Sequence, residues 1–143
     1  MEKIFFKLTV TDDYPPVSSE SVWAESLASG SFTVKNIPFY SKDACLDDEI
    51  LTKAGADGER YFERVITSSG NSTIRIIFFD AGEPHISNVL EKLVVMGCTW
   101  EGMSEKFFSV NIPVSVSLDE VIEYLSKGEE NGWLDYEYGL LRQ

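Results

Sequence analysis

Cys45, His85 and Cys98 are the residues best suited by type to nucleophilic or metal chemistry, and their spacing serves neither well. A cysteine nucleophile needs an imidazole within hydrogen-bond reach. If His85 opens a helix and Cys98 follows it, about thirteen residues at roughly 1.5 Å rise hold them near 20 Å apart, so they form no dyad. Cys45 with His85 stays open, beside the plainer reading of a lone histidine capping a helix or lying on the surface. Structural zinc requires about four converging Cys, His or carboxylate ligands, and LDDEI lacks the alternating oxygens and the glycine of a calcium loop. No metal and no cofactor are expected. SSGNST, residues 68–73, offers serines or an anion nest, but it sits between ERVIT and TIRIIFF, where a hairpin turn with Gly70 or Asn71 at positive φ is the simpler account.

Carboxylates are abundant enough to weaken any argument from a catalytic pair. Twenty-four acidic residues face twelve basic ones, a formal charge of -12. Such a field repels phosphates and anionic lipid and attracts basic proteins, although solubility alone also favours acidic surfaces. Two clusters stand out. The first is GEENGWLDYEYG, with Glu129, Glu130, Trp133, Asp135 and Glu137; between Asp119 and Glu137 there are seven acids and the single base Lys127. The second is Asp43, Asp47, Asp48 and Glu49. A surface that mixes carboxylates with aromatic anchors suits a basic protein partner. The same charges would also protect an ordinary edge strand from aggregation.

The elements that would position these residues follow from periodicity. At 143 residues, with 43% hydrophobic and 13% aromatic content, the chain can bury a core. Residues 3–10, 21–27, 31–38 and 61–67 read as strands, with turns at Ala28-Ser29-Gly30 and at GADGER. Residues 41–51 read as a loop with one helical turn. Residues 73–79 form a further strand, and Pro84 opens a helix whose Ile86, Val89, Leu90, Leu93 and Val94 share a face until Gly97. A hairpin over 99–103 and 106–112 puts Phe108, Val110 and Ile112 together. Ser117 to Glu120 is a capping box for a second helix, carrying Leu118, Val121, Ile122 and Leu125 and closing near Gly128. A last strand over 133–140 directs Leu134, Tyr136, Tyr138 and Leu140 to one face and Trp133, Asp135 and Glu137 to the other.

The expected fold is therefore α+β: a small β-rich, SH3-like barrel over residues 1–70 packed on a ferredoxin-like βαββαβ half over 71–143, with one continuous domain as the alternative. No apolar run reaches the length of a membrane span, and the N-terminus does not read as a signal peptide. Two distant cysteines fit a reducing cytoplasm, in which the sequon at Asn71 is incidental.

Trp23-Ala24-Glu25, Asn36-Ile37-Pro38-Phe39, the pair Asp47-Asp48, and Ser69, Gly70, Ser72, Thr73 and Arg75 resemble the pattern of a bacterial family known only as a domain of unknown function. The resemblance runs from Val22 to the C-terminus and implies a fold without implying a chemistry. In size and charge, though in no motif, the chain also resembles the immunity proteins that accompany contact-dependent bacterial toxins. The expectation is a non-enzymatic cytoplasmic binding protein, monomer or simple dimer, that neutralises a basic, nuclease-type toxin without touching nucleic acid or membrane. A module that binds a small ligand or self-associates through its sheet is the alternative, and a carboxylate hydrolase is a third.

Overall fold

In β1 (Glu2–Lys7), Ile4 and Phe6 are buried while Lys3 and Lys7 are exposed, the two-residue period of a strand with one wet face. The computed structural model describes residues 1–143 and divides them into two units, Met1–Ser69 and Gly70–Gln143. In the first unit the alternation continues through β2 (Ser19–Ser26) and β3 (Phe32–Val34), and β4 (Glu49–Ala54) and β5 (Arg60–Thr67) complete its strands. These five strands close a barrel in which β1 pairs antiparallel with β2 and parallel with β5. Ile4, Phe6, Val22, Ala24, Phe32, Val34, Ala44 and Ile50 fill it, and the Phe6 ring stacks on Phe62 with centroids 4.7 Å apart.

The second unit is a four-stranded sheet with two helices. Its strands are β6 (Ser72–Phe78), β7 (Thr99–Gly102), β8 (Phe107–Ile112) and β9 (Leu134–Leu140), in the order β7-β8-β6-β9 with every neighbouring pair antiparallel. Helices α1 (Ile86–Met96) and α2 (Leu118–Glu130) share one core with this sheet. Val89, Leu90 and Leu93 from α1 and Leu118, Val121 and Leu125 from α2 meet Ile74, Ile76, Phe78, Phe108, Val110 and Ile112. The chain is thus α+β and mostly strand.

Four local readings need correction. Residues 41–51 contain no helical turn, and their end belongs to β4, the strand that pairs with β5 across the GADGER turn. The third strand stops at Val34, because the chain then turns aside: Asn36 Oδ1 accepts from the Trp23 amide at 2.7 Å and Pro38 has no amide to donate. Helix α2 also runs through Gly128 to Glu130, and a 3-10 helix, Asp80–His85, precedes α1 with Pro84 inside it.

Two carboxylates, one of them fully buried, hold the first unit's loops. Asp48 is 0% exposed, and its carboxylate accepts from the Cys45 amide at 2.9 Å and from the amide and hydroxyl of Ser69 at 2.8 Å each. Glu20 accepts from three successive amides, Phe39, Tyr40 and Ser41, at 2.6, 3.0 and 2.8 Å. Such bonds to a charged acceptor are stronger than neutral ones, and removing a buried acceptor strands its donors. Asp48→Ala should cost roughly 3 kcal/mol of unfolding free energy in urea titration, whereas the same change at exposed Asp43 should cost less than about 0.5 kcal/mol.

Candidate functional site

The acidic and aromatic residues near the C-terminus are organised by the turn that joins α2 to β9. The helix starts at Ser117, whose Oγ accepts from the Glu120 amide at 3.3 Å. It ends at Asn131, followed by Gly132 at φ 74°, a left-handed conformation that glycine adopts without strain. The Gly132 and Trp133 amides donate to Glu129 and Gly128 carbonyls at 3.0 Å each, so the chain reverses at once into β9. Gly128 lies inside the helix because a Cβ there would come 2.8 Å from Leu134 Cδ2. The missing side chain lets the helix end settle against the first residue of the strand.

This reversal brings Glu129, Glu130 and Asp135 together. Glu129 and Asp135 share a hydrogen bond between carboxyl groups, which pushes the Glu129 carboxyl above its usual range; desolvation and repulsion from Asp135 and Glu130 add to the effect. None of the protein's ion pairs involves these three residues. Glu137 is arranged differently: it stands 3.9 Å from Arg75 Nη1, a charge contact too long for a hydrogen bond. Arg75 itself is 1% exposed, and a Cβ on Gly139 would approach its Nη1 to 3.0 Å.

Trp133 does not share the Asp135 face. It precedes the strand, its carbonyl accepts from the Phe79 amide at 2.9 Å, and its ring stacks on His85 with centroids 3.7 Å apart. The 3-10 helix that carries His85 is tied down by Lys106, which bonds to Asp80 and lies 3.8 Å from Glu83. That contact holds the Asp80 carboxyl below its usual range and raises the Lys106 amine. Leu140 also leaves its expected face. The register shifts between Thr73 and Ile74, so Tyr138 opposes Ile74 while Leu140 opposes Thr73, with Gly139 as the extra residue. The centre of the face opposite the helices, with Thr73, Arg75, Ser109 and Asn111, is buried.

The second acidic cluster separates into structural and surface groups. Asp48 is consumed by its three hydrogen bonds and cannot present charge to a partner. Glu49 accepts from the hydroxyls of Ser31 and Thr67. Asp47, at φ 66°, pairs with Lys35 at 3.1 Å, which leaves Asp43 as the exposed member without a salt bridge. Cys45 is fully buried, and burial pushes the Cys98 thiol up to about 11, so neither supplies a ready thiolate. No group of three or more His, Cys, Asp or Glu residues is arranged to hold a metal ion, and no helix is long and apolar enough to cross a membrane.

A family model described as a domain of unknown function (DUF4265) matches residues 20–136. The chain belongs to that family. In this chain Trp23, Asn36, Asp48 and Ser69 have structural roles, since Asn36 bonds the Trp23 amide and Asp48 bonds Ser69. Among solved structures, the chain is similar to one described as a novel crystal structure of a hypothetical protein from Neisseria gonorrhoeae. The two are 21% identical, with 99% of this chain and 96% of that one covered and a TM-score of 0.83. That likeness concerns the fold. Among curated proteins, none matches.

Sequence reasoning missed Glu20 and the stack of His85 on Trp133. Glu20 had no visible signal, because its amide partners lie about twenty residues away. Two measurements test the site. Gly82→Ala would place a Cβ 2.0 Å from the Trp133 carbonyl oxygen, and should lower stability by about 1–3 kcal/mol while changing indole fluorescence. The raised Glu129 group makes the folded state lose stability as pH climbs from the unfolded carboxyl value through the folded one. The penalty is complete above the folded value and absent well below the unfolded one. Glu129→Gln should therefore melt higher than wild type at neutral pH, and the gap should close below about pH 4.

Proposed function

We propose that this DUF4265 chain is a non-enzymatic binding protein that neutralises a basic bacterial toxin, of the nuclease type, as an immunity protein does in contact-dependent growth inhibition. The observation that carries the reading is the trio of Glu129, Glu130 and Asp135, held close at the end of α2 with no cation of the chain paired to them. A fold does not need such a cluster, since like charges oppose its formation. A partner's Lys or Arg residues would relieve the repulsion on contact. The toxin would lose the groups with which it grips phosphate, and opposed fields would speed their encounter.

The formal charge of -12 supports the same direction of attraction. Tyr138, 45% exposed, supplies aromatic area of the kind that anchors interfaces. In this reading the contact runs through Glu129, Glu130, Asp135 and Glu137, with Asp43 and Asp47 as a lesser site, and the protein works in the cytoplasm as a monomer or simple dimer. An SH3-like first unit is supported by the five-stranded closed barrel, and a ferredoxin-like second unit by the order β7-β8-β6-β9 with helices between its strand pairs.

The test is to express the chain beside the product of its neighbouring reading frame and beside basic nuclease domains, and to measure binding and rescue from toxicity. Wild type should bind more weakly as salt rises, and Glu130→Lys should weaken binding by about tenfold or more, chiefly through slower association. Rescue without any loss on Glu130→Lys or Asp135→Lys would remove this surface from the mechanism. Retention of no basic protein at low salt would remove the function itself.

A further inference from the structure

On the face opposite the helices, the sheet of the second unit buries polar residues at its centre and exposes apolar ones at one end, the reverse of the usual distribution. Strand register fixes the grouping. Ile77 is paired with Phe107 on β8 and with Asp135 on β9, so the three side chains stand in one row on that face. Met103, whose amide donates to the Phe107 carbonyl at 3.0 Å, extends the row beyond β7. Phe79 follows Ile77 by two residues in extended conformation, and its amide continues the ladder to the Trp133 carbonyl, so it falls on the same face. Ile77 is 49% exposed, Phe79 46% and Met103 49%, and Phe107 is half-buried.

The fold does not need this row. Ile74, Ile76 and Phe78 already supply the core beneath the helices, and Ile77 and Phe79 point away from it. Isolated exposed apolar side chains are ordinary, but contiguous ones make a patch of the kind that marks an interaction surface. Its flanks are negative. Asp135 closes the row on β9, joined to the Glu129 carboxyl, and the next row inward is Glu101, Ser109, Arg75 and Glu137. Arg75 is the only cation that the strands put on this face, and it is buried with Glu137 at 3.9 Å. Lys106, next to Phe107 in the chain, is bound to Asp80 and close to Glu83. An apolar centre with a carboxylate edge fits a partner that offers an apolar side chain flanked by Lys or Arg.

We propose that the row of Met103, Phe107, Ile77 and Asp135, with Phe79 beside it, is a docking surface for a basic protein. A large apolar side chain of the partner lies on Ile77, Phe79 and Phe107, and an adjacent Lys or Arg meets Asp135. The inference rests on the reading of the chain as a binder of basic proteins, and it supplies the apolar anchor that carboxylates alone lack. Exposed charges set how fast such a complex forms, and the desolvated anchor sets how slowly it separates.

The probes are the peptides acetyl-Lys-Leu-Leu-Lys-amide and acetyl-Lys-Ser-Ser-Lys-amide, titrated into the isotopically labelled full chain and followed by NMR. Saturable shifts are expected at the amides of Ile77, Phe79, Met103, Phe107 and Asp135, with the serine peptide binding weaker by about fivefold. Ile77→Thr keeps a β-branched residue at an exposed strand position, and should weaken the leucine peptide to the level of the serine one. Met103→Lys, on the bend after β7, should weaken it as well and serves if Ile77→Thr fails to fold. Equal binding of the two peptides, or leucine-peptide shifts that cluster elsewhere, overturns the docking surface. So does dimerisation in sedimentation that Ile77→Thr abolishes, since the occupant is then a second copy. A basic nuclease domain that the chain retains should dissociate from Ile77→Thr about tenfold faster than from wild type. An unchanged rate overturns the surface and leaves the toxin-binding reading intact. Peptide binding that depends on Ile77, with no basic protein retained at low salt, supports the surface and removes the toxin reading.

Discussion

The contact between Gly128 and Leu134 is the constraint on which the C-terminal surface depends. A helix that must deliver the chain directly into the edge strand of the sheet beneath it has little room at its last turn, and any side chain at residue 128 would occupy the space of the leucine. With that space free, Gly132 reverses the backbone and the Trp133 amide closes onto the Gly128 carbonyl. The carboxylates of Glu129 and Asp135, six positions apart in the chain, then become neighbours. The same geometry seats Trp133 on His85 and leaves a small apolar cleft beside it.

Charge has two separate uses in this protein. Asp48 and Glu20 are carboxylates surrounded by amide donors, and their negative charge is distributed over bonds that tie loops to the barrel. Their value lies in satisfying backbone groups that would otherwise be buried without partners. Glu129, Glu130 and Asp135 have no such donors in number and repel one another, so their contribution to the isolated fold is unfavourable. Groups of the first kind explain a structure. Groups of the second kind do not, and for this reason the proposed function rests on them and not on the total charge.

Much of the architecture was legible because it rests on local periodicity. The alternation in residues 3–7, the helical spacing of Val89, Leu90 and Leu93, the Ser117 cap and the glycine at 97 each record a single element's own requirement. Where the reading went wrong, the deciding contact was distant or structural detail broke the period. The strand at Glu49–Ala54 was hidden by the acids at its start, of which Asp48 and Glu49 accept from amide and hydroxyl donors. Leu140 was put on the wrong face because a bulge at Gly139 resets the two-residue alternation, which sequence cannot announce unless the bulge residue is recognised as one.

From its sequence alone the chain determined that it is globular, acidic, α+β and without the ligand spacings of a metal centre, since these follow from composition and from periods of two and 3.6 residues. Tertiary structure alone decided which acids act together. GEENGWLDYEYG looks like one continuous patch on paper, yet its members part company: Glu129, Glu130 and Asp135 converge, Glu137 turns to Arg75, and Trp133 lies against His85. Likewise Asp47 and Asp48 are adjacent, and one is solvated while the other is fully buried. The reason is that a side chain's neighbours in space are set by where elements pack and where the backbone reverses, and electrostatic energy depends on those distances and on burial, never on adjacency in the chain.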